Sequence, residues 1–283
     1  MKNILLPLFS LLMIARSDAQ SALNVMTFNI RYDNPRDSLN AWQYRKDKVA
    51  GQLLFHHAHL IGVQEALHHQ VMELQDRLPQ YKYTGVGRTD GKEKGEYSAI
   101  FYDTTRLQLL QTATFWLAEQ TDIPGKKGWD AAIERIVTWA KFKDRVTKKT
   151  FYHFNTHFDH VGKIARRESA VLLLKKVNEI AGKTPSVITG DFNAHPGDEP
   201  IAVIVDKQEP LHLTNSKELT VAPHYGPDGT FNAFQPKEIN DQPIDYIFIK
   251  NKVSVLAHAT LSQSWQGRFS SDHFPVFAAI KIE

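Results

Sequence analysis

The segment HFNTHFDH, residues 153–160, places three histidines, an asparagine and an aspartate in eight positions. Such groups hold protons, metal ions or phosphate. TGDFN (189–193) sets Asp191 and Asn193 two residues apart, so both project to one side of an extended chain while Phe192 turns the other way. Oxygen ligands at that spacing suit a hard cation such as Mg2+, or orient a water; an Asx-capped turn uses the same residues. GVQE ends on Glu65, PIDYIFIK carries Asp245 at the head of an apolar run, and SSDHFPVF carries Asp272 and His273 just before another. Asn29 interrupts the apolar run LNVMTFNIRY, where a buried amide needs partners and a satisfied core amide is the plain alternative.

These residues sit at the ends of elements that the apolar pattern predicts. Strands are expected at 23–32, HLIGVQE, YKYTGVG, YSAIFYD, LQLLQTATFWL, RIVTWAKFK, TFYHFN, SVITGDFN, PIDYIFIK, KVSVLAHATL and PVFAAIKI. Helices are expected at QYRKDKVAGQLLFHH, HHQVMELQDRL and ARRESAVLLLKKVNEIAG, the last closed by Gly182. The polar DRVTKKT joins RIVTWAKFK to TFYHFN as a hairpin. Within 152–159, His153, Asn155, His157 and Asp159 share one face, and Tyr152, Phe154, Thr156 and Phe158 the other. The polar face reads either as a solvated sheet face or as part of a site. Adjacent strand residues face opposite ways, so Asp272 and His273 serve one site only from a loop. Pro275 supports a loop by holding Phe274 out of the helical region. Strands outnumber helices and pair mostly with neighbours, which predicts an α/β (α+β) sandwich of two mainly antiparallel sheets packed face to face, with helices outside.

The chain has 283 residues, 42% hydrophobic and 23% charged, and no linker divides it. MKNILLPLFSLLMIARSDAQ has the layout of a secretory leader, and cleavage after Ala19 is expected, leaving one domain over 20–283. The apolar run is short for a membrane span. Losing Lys2, Arg16 and Asp18 lowers the formal charge from +3 to +2. That near-neutral balance gives no support to a large nucleic-acid footprint, although nucleic acid is not excluded as a partner. KFKDRVTKK and KIARRES read as solvated surface. There is no cysteine, so stability must come from core burial and no thiol is available for metal. A secreted or periplasmic monomer is expected. Asparagine, carboxylates and imidazoles at strand ends across the whole chain fit metal-assisted hydrolysis at phosphorus.

The ordered motifs TFNIR, GVQE, YSAIFY, NTHFDH, GDFN, IDYIF and SDHFPV, spread over 23–282, resemble the endonuclease/exonuclease/phosphatase superfamily, the DNase I-like group. The pairing of NTH with GDFN is most similar to the deadenylase and nocturnin branch, whereas export argues against a cytosolic poly(A) substrate. The resemblance implies a four-layered α/β sandwich and a phosphoesterase using one or two Mg2+ ions, or Mn2+. It implies Glu65 as the main metal ligand, with Asn29 and Asp272 completing the site. It implies Asp191 as the group that orients or activates water, assisted by Asn193. It makes His273 an acid–base partner and His157 a charged donor to phosphoryl oxygen, with Asp245 fixing the His157 tautomer. Arg135 matches a phosphate-contacting position, and Glu96 is implied to pair with His273. Asp159 and His160 shape the floor. The implied reaction is in-line attack of water on a phosphodiester or phosphomonoester. Nucleases, lipid phosphodiesterases and sugar-phosphate phosphatases share this core, so the substrate stays open, as does an exported binding module that kept the fold and lost catalysis. Retention of the full set of acids and histidines argues against the latter. Trp42, Trp129, Phe231 and Phe234 either stack on a base or sugar or pack within the protein.

Overall fold

The computed structural model describes residues 22–236 and 242–283, so the expected leader at 1–19 lies outside the described residues. In chain order the elements are β1 (Leu23–Asn29), α1 (Lys46–Phe55), β2 (Leu60–Ala66), α2 (His68–Arg77), β3 (Tyr81–Thr84), β4 (Tyr97–Asp103), β5 (Leu107–Trp116), β6 (Ile136–Asp144) and β7 (Thr150–His157). There follow α3 (Lys163–Ala181), β8 (Ser186–Asp191), α4 (Glu199–Val205), β9 (Thr214–Asn215), α5 (Ser216–Leu219), β10 (Asp245–Lys250), β11 (Val253–Thr260), β12 (Ser264–Trp265), β13 (Arg268–Phe269) and β14 (Val276–Ile282).

Two six-stranded sheets form, with orders β11-β14-β1-β2-β4-β3 and β5-β6-β7-β8-β10-β9. Pairing is antiparallel except at β1–β2 and β7–β8, so each sheet is mixed. A helix makes each of those parallel crossovers, α1 between β1 and β2 and α3 between β7 and β8. The predicted hairpin is β6–β7, and Gly182 ends α3 in the left-handed region at φ 54°. The helix α4 and the short β9, α5, β12 and β13 were not expected, because each is too short to show a periodicity.

Three apolar layers hold the sandwich together. Phe28, Leu53, Ile61 and Leu74 pack sheet one on α1 and α2; Phe154, Leu173, Ile188 and Ile204 pack sheet two on α3 and α4. Val25, Leu60, Ile100, Phe142, Phe151, Val187 and Ile247 fill the space between the sheets. Toward the site that space turns polar. His153 and Asn155 are fully buried there, facing the opposite sheet and not solvent or the cleft. Asn155 Oδ1 accepts from Gln64 Nε2 at 2.7 Å and from Thr189 Oγ1 at 2.9 Å, and its Nδ2 donates to the Val63 and Ala99 carbonyls at 2.9 Å each. His153 Nε2 donates to Thr189 Oγ1 at 2.8 Å. The polar face of β7 is therefore mostly a seam between the sheets, which corrects its reading as an active-site floor. Gly62 permits this approach, since a Cβ there would collide with Thr189 Oγ1 and the Asn155 amide.

Candidate active site

Strand direction collects the chemistry at one edge of the sandwich. β1, β2, β7 and β8 all end there, and Asn29, Glu65, His157 and Asp191 stand at or near their C-terminal ends. β10 runs antiparallel to β8, so its first residue, Asp245, lies opposite Asp191. β14 runs antiparallel to β1, so the residues before it, Asp272 and His273, arrive at the same edge. Glu65 sits in a register irregularity between Val63 and Ala66 with φ 63°, and Arg31 and Asn193 also have positive φ, 59° and 47°. Left-handed backbone at three non-glycine residues around one site is strain that aims side chains.

The Asn29 amide is the hub. Its Nδ2 donates to Asp191 Oδ2 at 2.9 Å and to Glu65 Oε1 at 3.0 Å, while its Oδ1 accepts from the Arg31 amide at 3.0 Å. Asp191 Oδ2 lies 3.4 Å from His157 Nε2 and 3.8 Å from His273 Nε2. Asn193 Nδ2 donates to His157 Nε2 at 3.0 Å, and its own N–H donates to Asp191 Oδ1 at 2.9 Å. His273 Nδ1 meets Asp245 Oδ2 at 2.8 Å. Asp245 thus orients His273 and not His157, a correction that follows from the β8–β10 register. Glu96 does not reach His273 either. It receives a bidentate pair from Arg88, Nη1 at 2.7 Å and Nη2 at 2.9 Å.

Burial and crowding set the charges. Burial, then the neighbouring Asp245 carboxylate, pushes the Asp191 carboxyl up to about 7. Burial raises Asp272 as well, with Glu65 adding to the effect. For His273, burial opposes charge, but Asp245 and Asp191 outweigh it and hold the imidazolium well above its ordinary range. His157 goes the other way, because burial and the Arg135 and Arg88 guanidinia keep it neutral; this corrects its expected charged state. Arg31 is clamped by Asp37 at 3.1 Å, lies 3.6 Å from Asp272 and 3.9 Å from Glu65, and stacks 4.6 Å from the Tyr32 ring centroid.

Ligand atoms of Glu65, Asp191 and His273 lie within 4.8 Å of one another. An oxygen-rich donor set with no sulfur at one edge of the sandwich fits a hard divalent ion. Arg31, Glu65, His157, Asp191, Asn193, Asp272 and His273 line one cleft of about 780 Å³, together with Glu96, Arg135, His160, Phe231 and Phe234. Arg135 is 3% exposed, held by Asp159 at 3.4 Å and His160 at 2.9 Å, while its buried Nη1 has no partner among the described residues. Asp159 itself accepts from the Val161 and Gly162 amides, which makes it a loop anchor. Trp42 is core at 1% exposure, and Trp129 is not among the cleft-lining residues. Sequence reasoning missed Arg31, Tyr32 and Asp37, although Arg31 stood inside the TFNIR motif.

This geometry stands on a two-sheet sandwich that other proteins share. The chain belongs to the Endonuclease/Exonuclease/phosphatase family, whose profile it matches over residues 26–273. It is similar to the endonuclease/exonuclease/phosphatase from Bacteroides vulgatus, with 42% identity, TM-score 0.88 and coverage of 93% of this chain and 99% of that one. A mannosyl-6-phosphatase of Bacteroides thetaiotaomicron is 37% identical with TM-score 0.85, covering 91% of this chain and 99% of that one. Nocturnin of Drosophila melanogaster is 25% identical over 288 residues, 88% of this chain and 43% of that protein. The chain spans about half the length of the curated relatives it matches. Members of the family are hydrolases acting on phosphoesters. Among the described residues no helix is long and apolar enough to cross a membrane.

Proposed function

We propose that the protein is a divalent-metal-dependent phosphoesterase that removes phosphate from a small sugar phosphate. The observation that carries this reading is Asp191, buried between a neutral and a charged imidazole with Glu65 alongside. Glu65 would hold the ion with Asn29 and Asp272 beside it. A bound Mg2+ or Mn2+ ion supplies charge neutralisation at the phosphoryl oxygens. Asp191, with a pKa near neutrality, takes a proton from the attacking water. The His273 imidazolium, backed by Asp245, donates to a phosphoryl oxygen. Water forms the new O–P bond, the P–O bond to the sugar breaks, the departing oxygen takes a proton from solvent, and Asp191 returns its proton to solvent.

Two features favour a small monoester over a polynucleotide. The cleft lines its walls with Asp37, Glu65, Glu96, Asp191 and Asp272, and its guanidinia, Arg31 and Arg135, are already paired with acids. A polyanion needs a track of free cations instead. The similarity to a mannosyl-6-phosphatase at 37% identity points the same way. The test is phosphate release from hexose 6-phosphates, bis-p-nitrophenyl phosphate and single-stranded RNA, with Mg2+, with Mn2+ and with EDTA. Release from the hexose phosphates that EDTA abolishes is expected. Faster cleavage of RNA or of the diester, or EDTA-insensitive hydrolysis, would contradict the reading. We also propose export through removal of residues 1–19, which N-terminal sequencing of the exported protein checks.

A further inference from the structure

An aromatic side chain lines the cleft beside His273. Phe231 is 39% exposed on the wall of the cleft, and its ring meets the His273 ring edge-on, with centroids 5.1 Å apart. The backbone around Phe231 fixes this placement. Phe231 forms an antiparallel bridge with His273, the Phe274 amide donates to the Thr230 carbonyl at 2.6 Å, and the Asn232 amide donates to the Asp272 carbonyl at 2.7 Å. The next residues, Ala233 and Phe234, have φ of 50° and 57°, with the Phe234 N–H donating to Asn232 Oδ1 at 2.8 Å. Consecutive left-handed residues without glycine are costly, and they are stapled to the very segment that carries Asp272 and His273. The ring is therefore fixed in register with the reacting groups.

We infer that Phe231 is the platform on which the pyranose ring of the departing sugar stacks. This rests on the phosphoesterase reading given above. A pyranose has an apolar C–H face that suits a phenyl ring and hydroxyl groups that suit the charged remainder of the cleft, where Asp37 and His160 stand. A nucleobase also stacks on a phenyl ring, but the carboxylates and imidazoles around Phe231 offer more partners to the hydroxyl groups of a sugar. Phe234 does not compete for the role, because its ring lies 5.3 Å from the buried Arg45 guanidinium and serves as packing there.

The experiment compares kcat and KM for mannose 6-phosphate, adenosine 5′-monophosphate and methyl phosphate, which has no ring, in the wild-type protein with Mg2+ and in Phe231→Ala, Phe231→Leu and Phe231→Trp. The wild type is expected to prefer the hexose ester. Phe231→Ala and Phe231→Leu should raise KM for it about tenfold, with a smaller effect on kcat, and lower the selectivity ratio over methyl phosphate by a similar factor. Phe231→Trp should restore the ratio. A ratio unchanged in Phe231→Ala, or lost equally in Phe231→Trp, would overturn the platform while leaving the activity standing. Preference for the nucleotide would overturn the pyranose assignment. A wild-type protein that hydrolyses none of the three esters would overturn the activity itself and the platform with it.

Discussion

Asp245 and Glu65 are both carboxylates at one edge of the sandwich, yet they serve different partners and their loss should look different. Asp245→Asn removes the negative charge, 2.8 Å from Nδ1, that keeps His273 protonated. Hydrolysis is expected to fall about 10²–10⁴-fold, the usual worth of positioned acid–base catalysis. The pH profile carries the sign. In the wild type, the rate should rise as Asp191 deprotonates and fall at higher pH as His273 loses its proton. Asp245 raises the pKa of both groups. Its removal should move both limbs of the bell toward acid at saturating metal; unmoved limbs would separate Asp245 from the chemistry. Glu65→Gln is expected to weaken Mn2+ binding in a direct titration while the circular dichroism spectrum stays native. Unchanged metal affinity would reject Glu65 as a ligand. His157→Gln should lower kcat, because it removes the ring nitrogen that accepts from Asn193 Nδ2 and lies 3.4 Å from Asp191; an unchanged kcat would separate His157 from the site.

At the level of elements, the site depends on how closely β2 approaches β7 and β8. The seam of Gln64, Asn155, Thr189 and His153 sits directly behind the Glu65 bulge, and Gly62 lets it close. Gly62→Ala forces a methyl group into that contact. Overpacking of this kind typically costs about 1–3 kcal/mol, read as a lowered urea midpoint with an unchanged m-value. Asn155→Leu removes both donors to the Val63 and Ala99 carbonyls and the acceptor for Gln64. Each stranded buried group costs about 1–3 kcal/mol, so this variant should be the less stable of the two. A wild-type midpoint in either variant would show that the sheets tolerate a looser approach.

For the whole molecule, acid sensitivity follows from three histidines outside the proposed chemistry. Burial holds His153 down to about 3, His258 down to about 3 beside His224, and His59 down to about 4. A folded-state pKa below the ordinary 6.5 means that the unfolded chain binds protons that the native chain refuses. Stability is then fully present above about pH 6.5 and is lost as pH falls toward 3–4. Each such histidine contributes up to roughly 1.4 kcal/mol per pH unit across that window. The urea midpoint should drop steadily from pH 7 to pH 4 in metal-free buffer, and a pH-independent midpoint would contradict it. The amino-acid sequence alone determined much of this protein: alternation and turn residues marked the main strands and three helices, and polar residues at strand ends marked Asn29, Glu65, Asp191 and His273 as a group, because periodicity and strand-end placement are local properties. Tertiary structure alone decided the pairings. Whether Asp245 meets His157 or His273 depends on the register between β8 and β10, strands more than fifty residues apart in the chain. Whether His153 and Asn155 face water, substrate or another sheet depends on how the two sheets stack. Whether Phe231 is packing or platform depends on a backbone staple to residues about forty positions away. Such contacts join residues distant in sequence, and no local pattern encodes which distant partner closes them.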